Sequence, residues 1–229
     1  MDIDDILAEV SSAALIAPGT RDLHALTRAW VAERVAPELL PYPTPLLDRV
    51  LARISEQVRS VEDGMAGGAD GLGGAATGGA DKEKFRLIVV QTELERWKFL
   101  VRGLLRARLK KIDAHPYHIL NTPDVLAKLS TSETQYLRAH QALLAAHYKS
   151  SFLGQFPPAL QRLDDTAGGV SMIDAPDVDS AVFVRAVRDV GFITVEGTDT
   201  EFEMKRGDVW VVRWRSVRQA VESGDAELI

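Results

Sequence analysis

Glu95-Arg96-Trp97-Lys98-Phe99-Leu100-Val101-Arg102-Gly103-Leu104-Leu105-Arg106-Ala107-Arg108-Leu109-Lys110-Lys111-Ile112 is the stretch whose reading decides the fold. At about 100° per residue, Val90, Leu94, Trp97, Leu100, Val101, Leu104, Leu105 and Ile112 fall on one broad arc, so the stretch reads as a single long helix. Gln91, Glu95, Lys98, Arg102, Arg106, Lys110 and Asp113 form a polar stripe opposite. The separation is imperfect. Phe99 and Leu109 lie on or beside the charged stripe, while Arg108 and Lys111 intrude on the apolar arc. A helix that is apolar on more than one side needs more than one partner, which points to assembly rather than to a pocket.

Working outward, the helical pattern extends over about 82–113 and stops near His115-Pro116. Upstream, Leu23, Leu26, Trp30 and Val31 predict a helix over about 22–35, halted before Pro37. Thr44 followed by Pro45 opens another, carrying Leu46, Leu47, Val50, Leu51, Ile54, Val58 and Val61. The Gly/Ala-rich run 64–81 reads as a flexible insert. Downstream, Thr122-Pro123 starts a short helix with Val125, Leu126 and Leu129. Ser130 and Glu133 then form a capping box for a helix to about Phe152, with a stripe of Tyr136, Leu137, His140, Leu143, Leu144, His147 and Tyr148.

Beyond Asp164-Asp165 the pattern changes. Residues 181–187, 192–195, 202–204 and 209–214 read as strands, with Gly191, Gly197 and Gly207-Asp208 as turns. A short helix near 217–222 and a last strand at 226–229 close the chain. The expected fold class is α+β, an all-helical bundle followed by a small β-rich domain. A β piece this small is expected to lean on a partner.

The chain has 229 residues, 46% hydrophobic and 26% charged, which is globular composition. Its formal charge of -6 and pI near 5.4 disfavour a dedicated duplex-DNA binder, whose affinity comes from clustered cations. With no cysteine, thiolate chemistry and zinc ribbons are excluded. An acidic start, Met1-Asp2-Ile3-Asp4-Asp5, and no apolar run of about 18 residues predict a soluble, intracellular chain.

Chemical motifs are missing. Lys82 is followed by Glu83, so the Gly-rich run is no phosphate loop. The histidines are scattered, with His140 and His147 on an apolar stripe, and no Ser/His/Asp set assembles. No catalytic residue, metal ligand or cofactor is expected. The basic residues Arg102, Arg106 and Lys110 leave a nucleic-acid-binding module as the alternative function. Glu95 and Asp113 on the same stripe favour an ion-paired face instead.

The block Glu95–Ile112 resembles the signature helix of the SLD-five subunit family of the eukaryotic GINS complex. Leu129-Ser130 with Glu133 and Tyr136, the run Asp208-Val209-Trp210-Val211-Val212-Arg213-Trp214-Arg215-Ser216-Val217-Arg218 and the end Gly224-Asp225-Ala226-Glu227-Leu228-Ile229 are similar to family stretches in the same order. Departures are the Gly-rich insert and Trp214, where tyrosine is more usual. The resemblance implies a helical A domain at 19–163 with the insert at 64–81, a linker at 164–176 and a B domain at 177–229. It implies a non-catalytic, nuclear scaffold in the GINS heterotetramer, part of the CMG replicative helicase. Partners would be three other GINS subunits, the MCM helicase ring and its RecJ-like partner, with DNA contacted only indirectly and no membrane.

The implied contact residues on the long helix are Trp97, Leu100, Val101, Leu104, Leu105, Arg106, Arg108 and Ile112. Those of the B domain are Trp210, Val212, Arg213, Trp214, Leu228 and Ile229. By pattern alone, Ile3, Ile6, Leu7 and Val10 form a small apolar helix face, either docked on its own domain or free for a groove elsewhere. Residues 1–18 also resemble the peptide by which fungal members dock on a trimeric propeller adaptor to polymerase α. That resemblance favours docking through Ile3, Asp4, Asp5, Ile6, Leu7 and Val10.

Overall fold

The computed structural model describes residues 18–69, 77–162, 173–195 and 201–229, with the side chains of 64–69, 77–84 and 159 excepted. The chain divides into two compact units. One takes the chain up to Trp30 together with Pro43–Gly103; the other takes Val31–Tyr42 and Leu104–Ile229.

The first unit is helical. It contains most of α1 (Pro18–Val35), all of α2 (Thr44–Ala69) and the larger part of α3 (Thr77–Ala114). Leu23 and Leu26 of α1, Leu47 and Val50 of α2, and Leu94, Trp97, Leu100 and Val101 of α3 are buried. Spacings of three and four residues place each set on one helix face, as an amphipathic core helix requires. Gly103 permits a close approach: a Cβ there would meet Trp30 Nε1 at 2.8 Å. Both α2 and α3 run into the stretch expected as a flexible insert, α2 to Ala69 and α3 from Thr77. Alanines at 66, 69 and 80 favour helix, which offsets part of the glycine cost.

The second unit holds two cores. Leu39, Ile112, Ile119, Val125 and Leu137 form one, joining the 31–42 segment to the end of α3, to α4 (Pro116–Asn121) and α5 (Pro123–Leu126), and to α6 (Thr131–Ser151). Helix α4 begins at the His115-Pro116 step where the long helical pattern was expected to stop. Pro116 at its first turn needs no N–H partner and has φ preset for a helix. Helix α6 starts at the expected capping box, with Glu133 N donating to Ser130 Oγ at 3.2 Å and Ser130 N donating to Glu133 Oε2 at 2.9 Å.

The other core belongs to the C-terminal strands. Strands β1 (Ala181–Ala186), β4 (Val209–Arg213) and β5 (Ala226–Leu228) form an antiparallel sheet in the order β4-β1-β5, with Phe183 opposite Val211 and Val184 opposite both Trp210 and Leu228. Strands β2 (Gly191–Thr194) and β3 (Glu201–Met204) pair separately. The fourth strand was expected to include Trp214. It ends at Arg213 instead, and Trp214 opens helix α7 (Trp214–Ser223), which Gly224 closes in the left-handed conformation at φ 83°. Trp214, Val217 and Ala220 of α7 pack with Val182, Val184, Ala186 and Leu228, and Ala36 joins the same cluster.

Candidate subunit-contact surfaces

Arg108 and Lys111, the two cations that interrupt the apolar arc of α3, are explained by carboxylates brought from elsewhere. Arg108 is fully buried. Its Nε donates to Glu133 Oε1 at 2.7 Å, one Nη to Glu33 Oε2 at 3.0 Å and the Leu40 carbonyl at 2.7 Å, and the other to the Lys128 carbonyl and Glu133 Oε2, both at 3.1 Å. A guanidinium has five N–H groups, and these bonds engage all of them. Burial opposes the charge, but Glu133 and Glu33 outweigh it and raise the pKa above the ordinary arginine value. Lys111 Nζ reaches Glu33 Oε1 and the Glu38 carbonyl, both at 2.7 Å; burial dominates there and holds its pKa below the ordinary lysine value despite Glu33.

Glu38 carries the polar connection onward to α7. Its Oε2 accepts from Trp214 Nε1 at 2.9 Å and lies 3.3 Å from Arg218, while Lys128 Nζ donates to Glu222 at 2.7 Å. Tryptophan at 214 therefore supplies a ring that fills the core and a donor that reaches Glu38. The same constellation orients the C-terminal sheet against helices α3–α6 within this unit. It is a structural node: among the described residues no group of three or more His, Asp or Glu is placed to hold a metal ion.

The node changes the reading of the candidate contact residues. Trp97, Leu100, Val101, Leu104, Arg108 and Ile112 are buried inside the chain's own fold and are closed to a partner; Leu105 is half-buried and Arg106 exposed. Trp214 and Leu228 are likewise core residues, whereas Trp210, Arg213 and Ile229 are exposed and Val212 half-buried. The peptide residues Ile3, Asp4, Asp5, Ile6, Leu7 and Val10 lie outside the described residues. On the polar stripe, Glu95 sits 3.1 Å from Lys98 and 3.6 Å from Arg102, so part of the basic face is ion-paired.

Apolar surface remains exposed elsewhere. On α3, Phe85 is 68% exposed, and Ile88 and Val89 are also solvent-facing; Phe99 is exposed too, with its ring centre 5.9 Å from that of Trp30 in a T-shaped arrangement. On the three-stranded sheet, the face away from α7 carries Phe183, Val209, Val211 and Ile229, all exposed. Arg185 and Glu227 pair across that face. Exposed apolar surface of this kind is a candidate for interaction. The strand signal was present in the sequence: β1 and β4 carry apolar residues on both faces, whereas a half-solvated strand alternates with polar ones. Helix α6 shows the same excess, since Leu137 is buried beside Glu133 and Gln141 while Leu143 of the expected stripe is exposed.

A helical part followed by a small β-rich part with unfilled apolar surface defines a class of multisubunit-assembly proteins, and comparison with known proteins makes the class specific. The family described as GINS complex protein helical bundle domain matches residues 46–152, and that described as DNA replication complex GINS protein SLD5 C-terminus matches 176–229. The DNA replication complex GINS protein SLD5 of Chaetomium globosum is 48% identical over 233 residues, covering 100% of both chains. Those of Yarrowia lipolytica and Schizosaccharomyces pombe are 34% and 33% identical, covering 100% of this chain and 85% and 99% of theirs. The chain belongs to the GINS protein SLD5 family.

Proposed function

We propose that this chain is a non-catalytic structural subunit of the GINS heterotetramer and, through it, of the CMG helicase that initiates and elongates DNA replication in the nucleus. The observation that carries the proposal is the full-length relationship to GINS SLD5 proteins of fungi, over both the helical and the β-rich part. The physical support is the placement of apolar surface. The buried charges of the Arg108 node are paired with one another, while Phe85, Ile88, Val89, Phe183, Val209 and Val211 face solvent.

In this reading the contacts to the three sister subunits are made by the exposed part of α3, with Leu105 and Arg106, and by the outer sheet face, with Arg213 and Ile229; Trp210 and Val212 lie on the opposite face of β4, in register with Val184 and Val182. The partition is a helical A domain at 19–163, a linker at 164–176 and a B domain at 177–229. The assembled tetramer then engages the MCM ring and its RecJ-like partner. Residues 1–18 serve as the docking peptide for the trimeric propeller adaptor to polymerase α, using Ile3, Ile6, Leu7 and Val10 as anchors and Asp4 and Asp5 toward a basic rim.

Co-expression with the three sister subunits tests the proposal. A soluble 1:1:1:1 complex is expected; a well-behaved monomer without affinity for them rejects it. In the same complex, Ile6→Ala with Leu7→Ala is expected to abolish adaptor binding in a pull-down and leave the tetramer intact. Unchanged adaptor binding would reject the peptide assignment alone.

A further inference from the structure

An open cavity of about 280 Å³ lies where the end of α3, the start of α4 and the middle of α6 meet. Tyr117, Leu144 and Tyr148 contribute its aromatic and apolar wall, and Asp113 and Asp174 its carboxylates. Gln141 also lines it. That side chain is only 8% exposed, and its Nε2 is shielded from water without a hydrogen-bond partner among the described residues. An unmet buried amide costs about 1–3 kcal/mol, and folded proteins hold few of them. A half-turn of the amide exchanges its nitrogen and oxygen, so the unmet position accepts as readily as it donates.

The carboxylates are weakly neutralised by their neighbours. Asp113 Oδ1 accepts from Tyr136 O–H at 3.0 Å, and Asp113 and Asp174 lie 3.6 and 3.9 Å from His140 and His115, beyond hydrogen-bond reach. The cavity falls just below the roughly 300–1,000 Å³ of small-molecule sites, so it suits a single long side chain. Two tyrosines, two carboxylates and an amide oxygen together match a planar cation with several donors. Arginine meets that description better than lysine, because its guanidinium stacks on aromatic faces and offers a rigid fork to carboxylates.

We propose that this cavity receives an arginine side chain presented by a segment of a partner protein, stacked by Tyr117 and Tyr148, paired with Asp113 and Asp174 and hydrogen-bonded by Gln141. The site is separate from the exposed faces of α3 and the sheet, and it does not depend on which assembly the chain joins.

Nitrogen-resolved NMR of the full-length labelled chain, titrated with N-acetyl-arginine methylamide, tests the site. A saturable shift of the Gln141 side-chain amide is expected, with the neutral citrulline analogue binding about tenfold more weakly. Asp113→Asn with Asp174→Asn replaces exposed carboxylates and is expected to reduce arginine affinity about tenfold with an unchanged circular dichroism spectrum. Tyr148→Leu keeps the apolar wall, removes the aromatic face and is expected to weaken arginine more than citrulline. Equal responses to arginine and citrulline, or arginine binding unchanged by loss of the carboxylates, would overturn the proposal.

Discussion

Helix α3 holds a buried charge and an open ring: Arg108 is sealed from water, and Phe85, on the same helix, is 68% exposed. Hydrophobicity alone predicts the reverse. The charge is inside because Glu33, Glu133 and two backbone carbonyls converge on it, engaging every donor before desolvation can dominate. The ring is outside because none of the described residues covers it. One part of the helix completes its own fold, and another part stays exposed.

That contrast is broken most severely at the charged end. Arg108→Met leaves Glu133 buried without its cation and Glu33 with Lys111 alone, and a loss of about 3–5 kcal/mol is expected in urea unfolding of the purified chain. A smaller loss would mean that the two glutamates find other partners. Trp214→Phe keeps the ring in the C-terminal core but removes the Nε1 donor to Glu38. It is expected to cost about 1.5–3 kcal/mol, and pairing it with Glu38→Gln should give less than the sum of the single losses.

The exposed side is sharpened by changes that spare the fold. Phe183 and Val211 face each other across β1 and β4, so Phe183→Glu with Val211→Lys places opposite charges on one outer pair. Stability of the isolated chain is expected to shift by less than about 1 kcal/mol, in contrast to the Arg108 variant. The smallest effect concerns Glu222. Burial raises its pKa, but the Lys128 hydrogen bond and the charges of Lys128 and Arg218 prevail and hold it below the ordinary 4.5. Because the folded value is the lower one, the contribution of the pair is complete above about pH 4.5 and is lost as pH falls through the folded pKa. Acid titration of unfolding should therefore show a shallower slope in Glu222→Gln than in the parent chain.

How much of this was legible in the sequence follows the range of the interactions. The long helix, the capping box of Ser130 and Glu133 and the strand around Val182 and Val184 are written locally, and the structure contains each. The node was not, because Arg108 and Glu33 are 75 residues apart and pattern alone makes Arg108 an interruption. Trp214 was legible as an apolar strand residue, yet its donor meets Glu38 from 176 residues away, which no local pattern shows. Periodicity marks an apolar arc without saying what covers it. Trp97 and Leu100 are covered by the chain itself, whereas among the described residues nothing covers Phe85 and Ile88, and only the fold separates the two cases.

The central claim is that the outer sheet face is an assembly surface and the Arg108 node an internal one. Native mass spectrometry of the four co-expressed subunits, with this chain either unchanged or carrying Phe183→Glu and Val211→Lys, tests it most directly. The account predicts a 1:1:1:1 complex with the unchanged chain and its loss with the folded double variant. An intact complex containing the double variant would contradict the account.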